Sequence, residues 1–182
     1  MKKLTLVFTV LSMFLLYSCR DIINSVLDAI PPFDAPFSAT VTVPFAAVSS
    51  TTYTTTPPID MNIDLDQKIK EISPSQSINN IKSVKMNTLE MVYVSSQAGA
   101  KLDAIKNARI YLRAPNQPDV LIATAYNNTN PDIITFAVVD QELLPYFQTT
   151  QNSLIVEIMA SAPTLDLITL TMNSSFKAKV QL

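Results

Sequence analysis

Ile168-Thr169-Leu170-Thr171-Met172-Asn173-Ser174-Ser175-Phe176-Lys177-Ala178-Lys179-Val180-Gln181-Leu182 is the stretch whose reading decides the fold. Ile168, Leu170, Met172, Phe176, Ala178, Val180 and Leu182 fall in one column, with Ser174 as its polar member. Thr169, Thr171, Asn173, Ser175, Lys177, Lys179 and Gln181 fill the other. Successive side chains of a β-strand point to opposite faces, so this is a long strand with one buried face and one face in water. A helix would scatter both columns around its axis.

The same period recurs upstream. Phe37, Ala39, Val41, Val43 and Phe45 alternate with Ser38, Thr40 and Thr42, and Pro44 places that strand at a sheet edge or a bulge. Ile59, Met61, Ile63 and Leu65 alternate with Asp60, Asn62, Asp64 and Asp66, which predicts a strand, followed by a helical turn through Ile69 and Ile72. A long strand is expected over 81–94. Its parity changes between Val84/Met86 and Leu89/Met91/Tyr93, which predicts a bulge near Asn87-Thr88. Further strands are expected over 108–114, 120–126, 133–139 and 153–160. The sequence 115–119, Pro-Asn-Gln-Pro-Asp, and the sequence 127–132, Asn-Asn-Thr-Asn-Pro-Asp, are turn signals between them. Residues 49–58 read as a hydroxyl-rich connection, 95–106 as a loop around Gly99, and 140–148 as a short helical connection limited by Pro145.

About seven to eight strands with repeated turns and little helix describe an all-β, antiparallel β-sandwich, immunoglobulin-like in architecture. The Cys…Trp…Cys hallmark of immunoglobulin domains is absent, since the chain has no tryptophan. A closed β-barrel is the alternative arrangement of the same strands.

The N-terminus has another character. Lys2 and Lys3 precede an apolar run from Leu4 to Tyr17, and Leu16-Tyr17-Ser18-Cys19 follows, with Cys19 the one cysteine of the chain. A basic start, a short apolar stretch and a small residue before the break describe a secretory signal. The run is too short for the roughly 20 residues that a membrane span needs. The break between Ser18 and Cys19 resembles the lipobox of bacterial lipoproteins, with Tyr17 where a smaller residue is commoner. The resemblance implies cleavage by signal peptidase II and acylation of Cys19, with two or three acyl chains holding the protein on a membrane. It also implies the cell envelope. Arg20, rather than an Asp, follows the cysteine, which points to the outer membrane, on its periplasmic face or at the cell surface.

The chain then divides into a signal peptide (1–18), a lipidated N-terminus with a short helix and a Pro-rich spacer (19–36), and the β-sandwich domain (37–182). The helix is read from Ile22, Ile23, Val26, Leu27 and Ile30, with Asp21 as N-cap and Pro31-Pro32 as its end. It either docks on the domain or lies in the membrane interface.

Removing residues 1–18 takes two of the 13 basic side chains and none of the 15 acids, leaving 11 against 15 and a formal charge of −4. That argues against a nucleic-acid partner, which rewards basic stripes. There is no histidine, so the commonest general base, the Ser-His-Asp arrangement and the usual zinc ligand are all missing. With Cys19 acylated no thiol remains. A non-catalytic binding or structural module is therefore expected, with a carrier of a lipid or other apolar ligand as one alternative and a carboxylate-only glycan hydrolase as another.

Two constellations merit tracking. Asp60, Asn62, Asp64 and Asp66, with Glu71 at the twelfth position, have the oxygen-ligand spacing of a calcium-binding EF-hand loop, but Leu65 stands where that loop needs glycine. Calcium is the one cofactor these side chains would suit, through a surface site of two acids and a neighbouring loop. The simpler expectation is a solvated strand face. Glu157, alone in Ile155-Val156-Glu157-Ile158-Met159, is expected to face solvent or to pair across strands with Arg109 or Arg113. Tyr111, Tyr126, Tyr146 and Phe147 lie near strand ends, where aromatic rings either contact a partner or close the core.

Overall fold

A computed structural model of the chain describes residues 31–44, 51–161 and 167–180. The signal segment, Ser18, Cys19 and the expected helix over 20–30 lie outside the described residues.

The fold is an antiparallel β-sandwich of two sheets. Sheet I holds β1 (Phe33–Pro44), β10 (Leu167–Val180), β4 (Ile81–Ser96) and β7 (Ile133–Thr135), in the order β1-β10-β4-β7. Sheet II holds β2 (Thr54–Thr55), β9 (Ser153–Ala160), β5 (Ile105–Arg113), β6 (Val120–Ala125) and β8 (Ala137–Val138), in the order β2-β9-β5-β6-β8, and β3 (Ile59–Asp60) also pairs with β9. Neither sheet closes on itself, so the barrel arrangement is not the one adopted. Among the described residues no helix is long and apolar enough to cross a membrane.

The alternation in β10 translates directly into burial. Ile168, Leu170, Met172, Ser174, Phe176 and Ala178 are buried, and the intervening residues are not. Sheet II answers with Ile110, Leu112, Leu154, Val156 and Ile158, so that the two inner faces share one core. The outer face of sheet I is a hydroxyl lattice. Ser38 Oγ donates to Asn173 Oδ1 (2.7 Å), Thr40 and Thr171 hydroxyls meet at 3.0 Å, and those of Thr42 and Thr169 at 3.1 Å. Threonine suits this place because its branched Cβ favours the strand while its hydroxyl finds a cross-strand partner.

The bulge expected at Asn87-Thr88 is present. Ser175 pairs with Thr88 and Phe176 with Met86, which leaves Asn87 as the extra residue. Two more irregularities leave Val94 and Lys82 extra on the same strand. All three sit on β4, and each adds to its twist and bend.

Two expectations need correction. The Pro-rich spacer does not run to residue 36, because β1 begins at Phe33 and pairs with Ala178 there. Pro36 is tolerated because β1 is an edge strand, where a missing N–H need not break a ladder. The first strand therefore starts at Phe33 rather than Phe37. The strand expected over 59–65 survives only as Ile59–Asp60. Asn62 takes a positive φ of 50°, and the chain turns into helix α1 (Leu65–Ile72). Asn is among the few residues that adopt this conformation readily. Asp64 caps the helix by accepting from the Gln67 N–H (2.9 Å). Met61, Ile63, Leu65 and Ile69 are all buried, so the apolar column was sound although the backbone it implied was not.

The 140–148 connection contains the expected helical turn, a 3-10 turn at Leu144–Phe147. It is fastened to β4 by Glu142, whose Oε1 accepts from Val84 N (2.8 Å) and Leu144 N (2.9 Å), while Leu143 N donates to Val84 O (2.8 Å). Partial burial works against the charge on Glu142, but the Ser83 hydroxyl and three backbone N–H groups outweigh it and hold the pKa below the ordinary value of 4.5. A carboxylate whose pKa falls on folding contributes stability that is complete above its unfolded value and is lost as pH drops through the folded one. Glu142→Gln is therefore expected to be less stable than the parent at pH 7, with the difference narrowing below pH 4.5. Urea unfolding across that range checks it, and a gap that persists unchanged into acid would refute it.

Candidate functional site

The outer face of sheet II gathers an arginine, a glutamate and three tyrosines. Its centre is Arg109 on β5, which pairs across strands with Glu157 on β9 and Thr124 on β6. Arg109 Cζ lies 3.9 Å from the centroid of the Tyr53 ring, a stacked cation–π contact. Its Nη1 is 3.9 Å from Glu157 Oε2, and the Tyr126 hydroxyl lies beside it. Partial burial opposes the Arg109 charge, but the Tyr126 hydroxyl and the phenols of Tyr53 and Tyr111 more than offset this and keep its pKa above the ordinary value. Tyr111, two residues on, stands beside Glu157, and burial first and that carboxylate second push its phenol pKa up.

The strand geometry explains the grouping. Residues 109 and 111 share a face of β5, and residue 157 stands opposite 109 on β9. Thr55 pairs with Glu157, which brings Tyr53, two residues earlier, over Arg109. Tyr126 projects beyond the end of β6 and is 57% exposed. The ion pair is long and half in water, so it contributes little to stability. The guanidinium stays stacked on the Tyr53 ring.

The expected pairing of Glu157 with Arg109 is thus found. Arg113 goes elsewhere, to a two-pronged contact with Asp119 (2.8 and 2.7 Å) that braces the 114–119 turn and holds the Asp119 carboxyl below its usual pKa. Tyr146 and Phe147 are core residues. Tyr146 is buried with its hydroxyl on Pro118 O (2.7 Å), and Phe147 meets Phe176 edge to face at 4.8 Å. Tyr53 was not legible as a site residue, because it lies in the Thr-rich segment that reads as a plain connection.

The candidate calcium ligands do not converge. Asp60 sits on β3, Asn62 makes the turn, and Asp64 caps α1. Asp66 is tied to Lys70 and to Ile78 N (2.8 Å), and the Lys70 hydrogen bond, then the Ile78 one, lower its pKa. Glu71, at the far end of the helix, accepts from the Gln67 side chain (3.0 Å). Among the described residues no group of three or more acidic side chains is placed to hold a metal ion. Asn62, Asp64 and Glu71 do line one open cleft of about 410 Å³ between α1 and β1. No family model matches the chain, and no curated protein is found similar to it.

Proposed function

We propose that this protein is a lipid-anchored, non-catalytic binding module of the bacterial cell envelope, held by Cys19 and presenting the outer face of sheet II to a protein partner. The observation that carries the reading is the Tyr53–Arg109–Tyr126 cluster. Tyrosine and arginine are the residue types that concentrate binding energy at protein interfaces, and they do so where rings are held rigid before contact. Stacking on Tyr53 fixes the Arg109 fork, while Glu157 at 3.9 Å leaves room for a closer carboxylate from the partner. The anchor itself rests on the Leu16-Tyr17-Ser18-Cys19 motif.

The carrier alternative is less well supported. The apolar recess between the sheets, beside Val41, Met91, Val156 and Met172, is too tightly packed to admit even a water-sized molecule. Ligand pockets start from about 300 Å³.

Two measurements test the proposal in cells. Cys19→Ser is expected to move the protein from the membrane to the soluble fraction, and retention on the membrane would refute the acyl anchor. A photo-crosslinking residue placed at Tyr126 is expected to trap a discrete adduct that is lost when Arg109→Ala is added. The same residue placed at Lys70, near the far end of α1, is expected to trap none. Equal adducts from both positions, or an adduct that ignores Arg109→Ala, would overturn the face.

A further inference from the structure

β1 is an edge strand of sheet I, and the direction of its backbone groups can be worked out residue by residue. In an antiparallel pair, facing residues alternate between those that exchange both hydrogen bonds and those whose N–H and C=O point away from the partner strand. Leu167 faces Pro44, and its carbonyl accepts from Gln97 N (3.3 Å), on the side away from β1. Thr169, Thr171, Asn173 and Ser175 share the parity of Leu167, so they too turn their backbone groups toward β4. The residues facing them on β1, Thr42, Thr40, Ser38 and Pro36, therefore turn theirs to the open edge. Two further observations agree. Pro36 and Pro44, which have no N–H to give to β10, share this parity. The Thr40–Thr171 and Thr42–Thr169 hydroxyls meet at 3.0 and 3.1 Å, as suits the closer pairs that exchange no backbone bonds.

Ser38, Thr40 and Thr42 thus present their N–H and C=O groups outward, and among the described residues no strand takes them up. All three residues are exposed. Natural edge strands guard such a row with charges, bulges or prolines. β1 has a proline at each end of this window, and no charge or bulge inside it. Phe37, Ala39 and Val41 face the core from the same window, yet they are only half-buried, whereas Leu170 and Met172 beside them on β10 are fully buried. The edge is open in its apolar layer as well as in its backbone.

The spacing of the prolines says what fits. Pro36 and Pro44 stand equally far from Thr40 on either side. Let β1 of a second copy run antiparallel about a two-fold axis at Thr40. Thr40 then faces Thr40, Ser38 faces Thr42, and Pro36 faces Pro44. Every pair between the prolines has both donors, which gives about six hydrogen bonds at two per pair. Sliding the register by two residues puts a proline opposite Thr42 or Ser38 and interrupts the window. Sliding it by one sets these groups against residues already bonded to β10. In the Thr40-centred register Ala39 meets Val41 across the seam and covers their exposed apolar surface, and no charge faces its like. An open cleft between α1 and β1, beside Pro36 and Ser38, leaves that end of the edge within reach. We infer that the protein self-associates through β1, joining the sheets I of two copies into one continuous sheet about a two-fold axis at Thr40. Such an interface is self-complementary, as a two-fold contact must be. It lies on the other sheet from the Tyr53–Arg109–Tyr126 face and does not depend on it.

The test is sedimentation velocity of the full chain in density-matched detergent over a dilution series. The parent is expected to pass from dimer to monomer. Thr40→Lys and Thr40→Glu each set like charges against one another at the axis, and each is expected to raise the dissociation constant at least about tenfold. An equimolar mixture of the two variants is expected to restore the dimer, because the axis then holds one charge of each sign. Thr40 is exposed, so both variants are expected to melt near the parent. A parent that is monomeric at every concentration, a dimer indifferent to either charge, or a mixture that stays monomeric would each overturn the proposal. So would slow hydrogen exchange at the Ser38, Thr40 and Thr42 amides in the dilute monomer, which would mean that another segment of the same chain covers the edge.

Discussion

Phe176→Ala is expected to lower the stability of the domain by about 3–5 kcal/mol, the range for removing a fully buried aromatic ring from a core. Phe176 is 0% exposed, pairs with Ala35 on β1 and Met86 on β4, and carries Phe147 edge to face at 4.8 Å with an interplanar angle of 64°. The loss therefore falls on three elements together: the centre of sheet I, its edge strand, and the 3-10 turn that leads into β9. Domains are stable by about 5–15 kcal/mol, so a third or more of the margin is at stake. With a urea slope of about 2 kcal/mol per molar, the unfolding midpoint should drop by about 2 M at unchanged slope. Phe176→Leu should cost less, because it keeps most of the volume. A midpoint that barely moves in Phe176→Ala would mean that the ring is not packed as described.

Asn152→Ala is expected to cost about 2–4 kcal/mol by a different route, through orphaned backbone groups each worth about 1–3 kcal/mol. Asn152 is 1% exposed. Its Oδ1 accepts from Ile63 N (3.2 Å), and its Nδ2 donates to Ile63 O (3.3 Å) and Thr149 O (3.1 Å). One side chain thus serves both polar groups of Ile63, just after the positive-φ turn at Asn62 and just before the helix cap at Asp64. Unlike the Phe176 change, this one should be local. Hydrogen exchange is expected to speed up across residues 61–72 while β4 and β10 keep their protection. Unaltered exchange across α1 would show that the Asn152 side chain does not hold this segment.

What the sequence made legible follows from where each segment faces. β10, β9 and β5 lie between a core and solvent, so their alternation is strong and their bounds came out within about three residues, as expected of clean period-two patterns. The bulge at Asn87 was legible because it leaves a parity change in the apolar column. β1 was cut short because Pro31-Pro32 and Pro36 read as a spacer, and one strand cannot reveal from its own sequence that it will be an edge. The strand assigned to 59–65 failed for another reason. Met61, Ile63 and Leu65 satisfy a period of two, but Leu65, Ile69 and the Asp64-x-x-Gln67 cap satisfy a helix from Leu65 onward, and the cap wins. In the site, Glu157 with Arg109 could be anticipated as a lone acid beside available cations. Tyr53 could not, since its role depends on the two-residue strand β2 and the register it imposes.

The pairing of β1 with β10 has a consequence for the order of events in the life of the chain. Ser38 and Asn173, joined by a hydrogen bond, are 135 residues apart. Sheet I places β10 between β1 and β4, so neither of those long strands has its main neighbour until residues 167–180 have been made. Chains emerge at about 5–20 residues per second, and contacts of such long range close slowly. An early-made segment, Phe33–Pro44, must wait without its sheet partner while nearly everything after it is delivered. Were the chain exported as the proposed anchor at Cys19 requires, this topology would postpone closure of the sandwich until the crossing was almost complete.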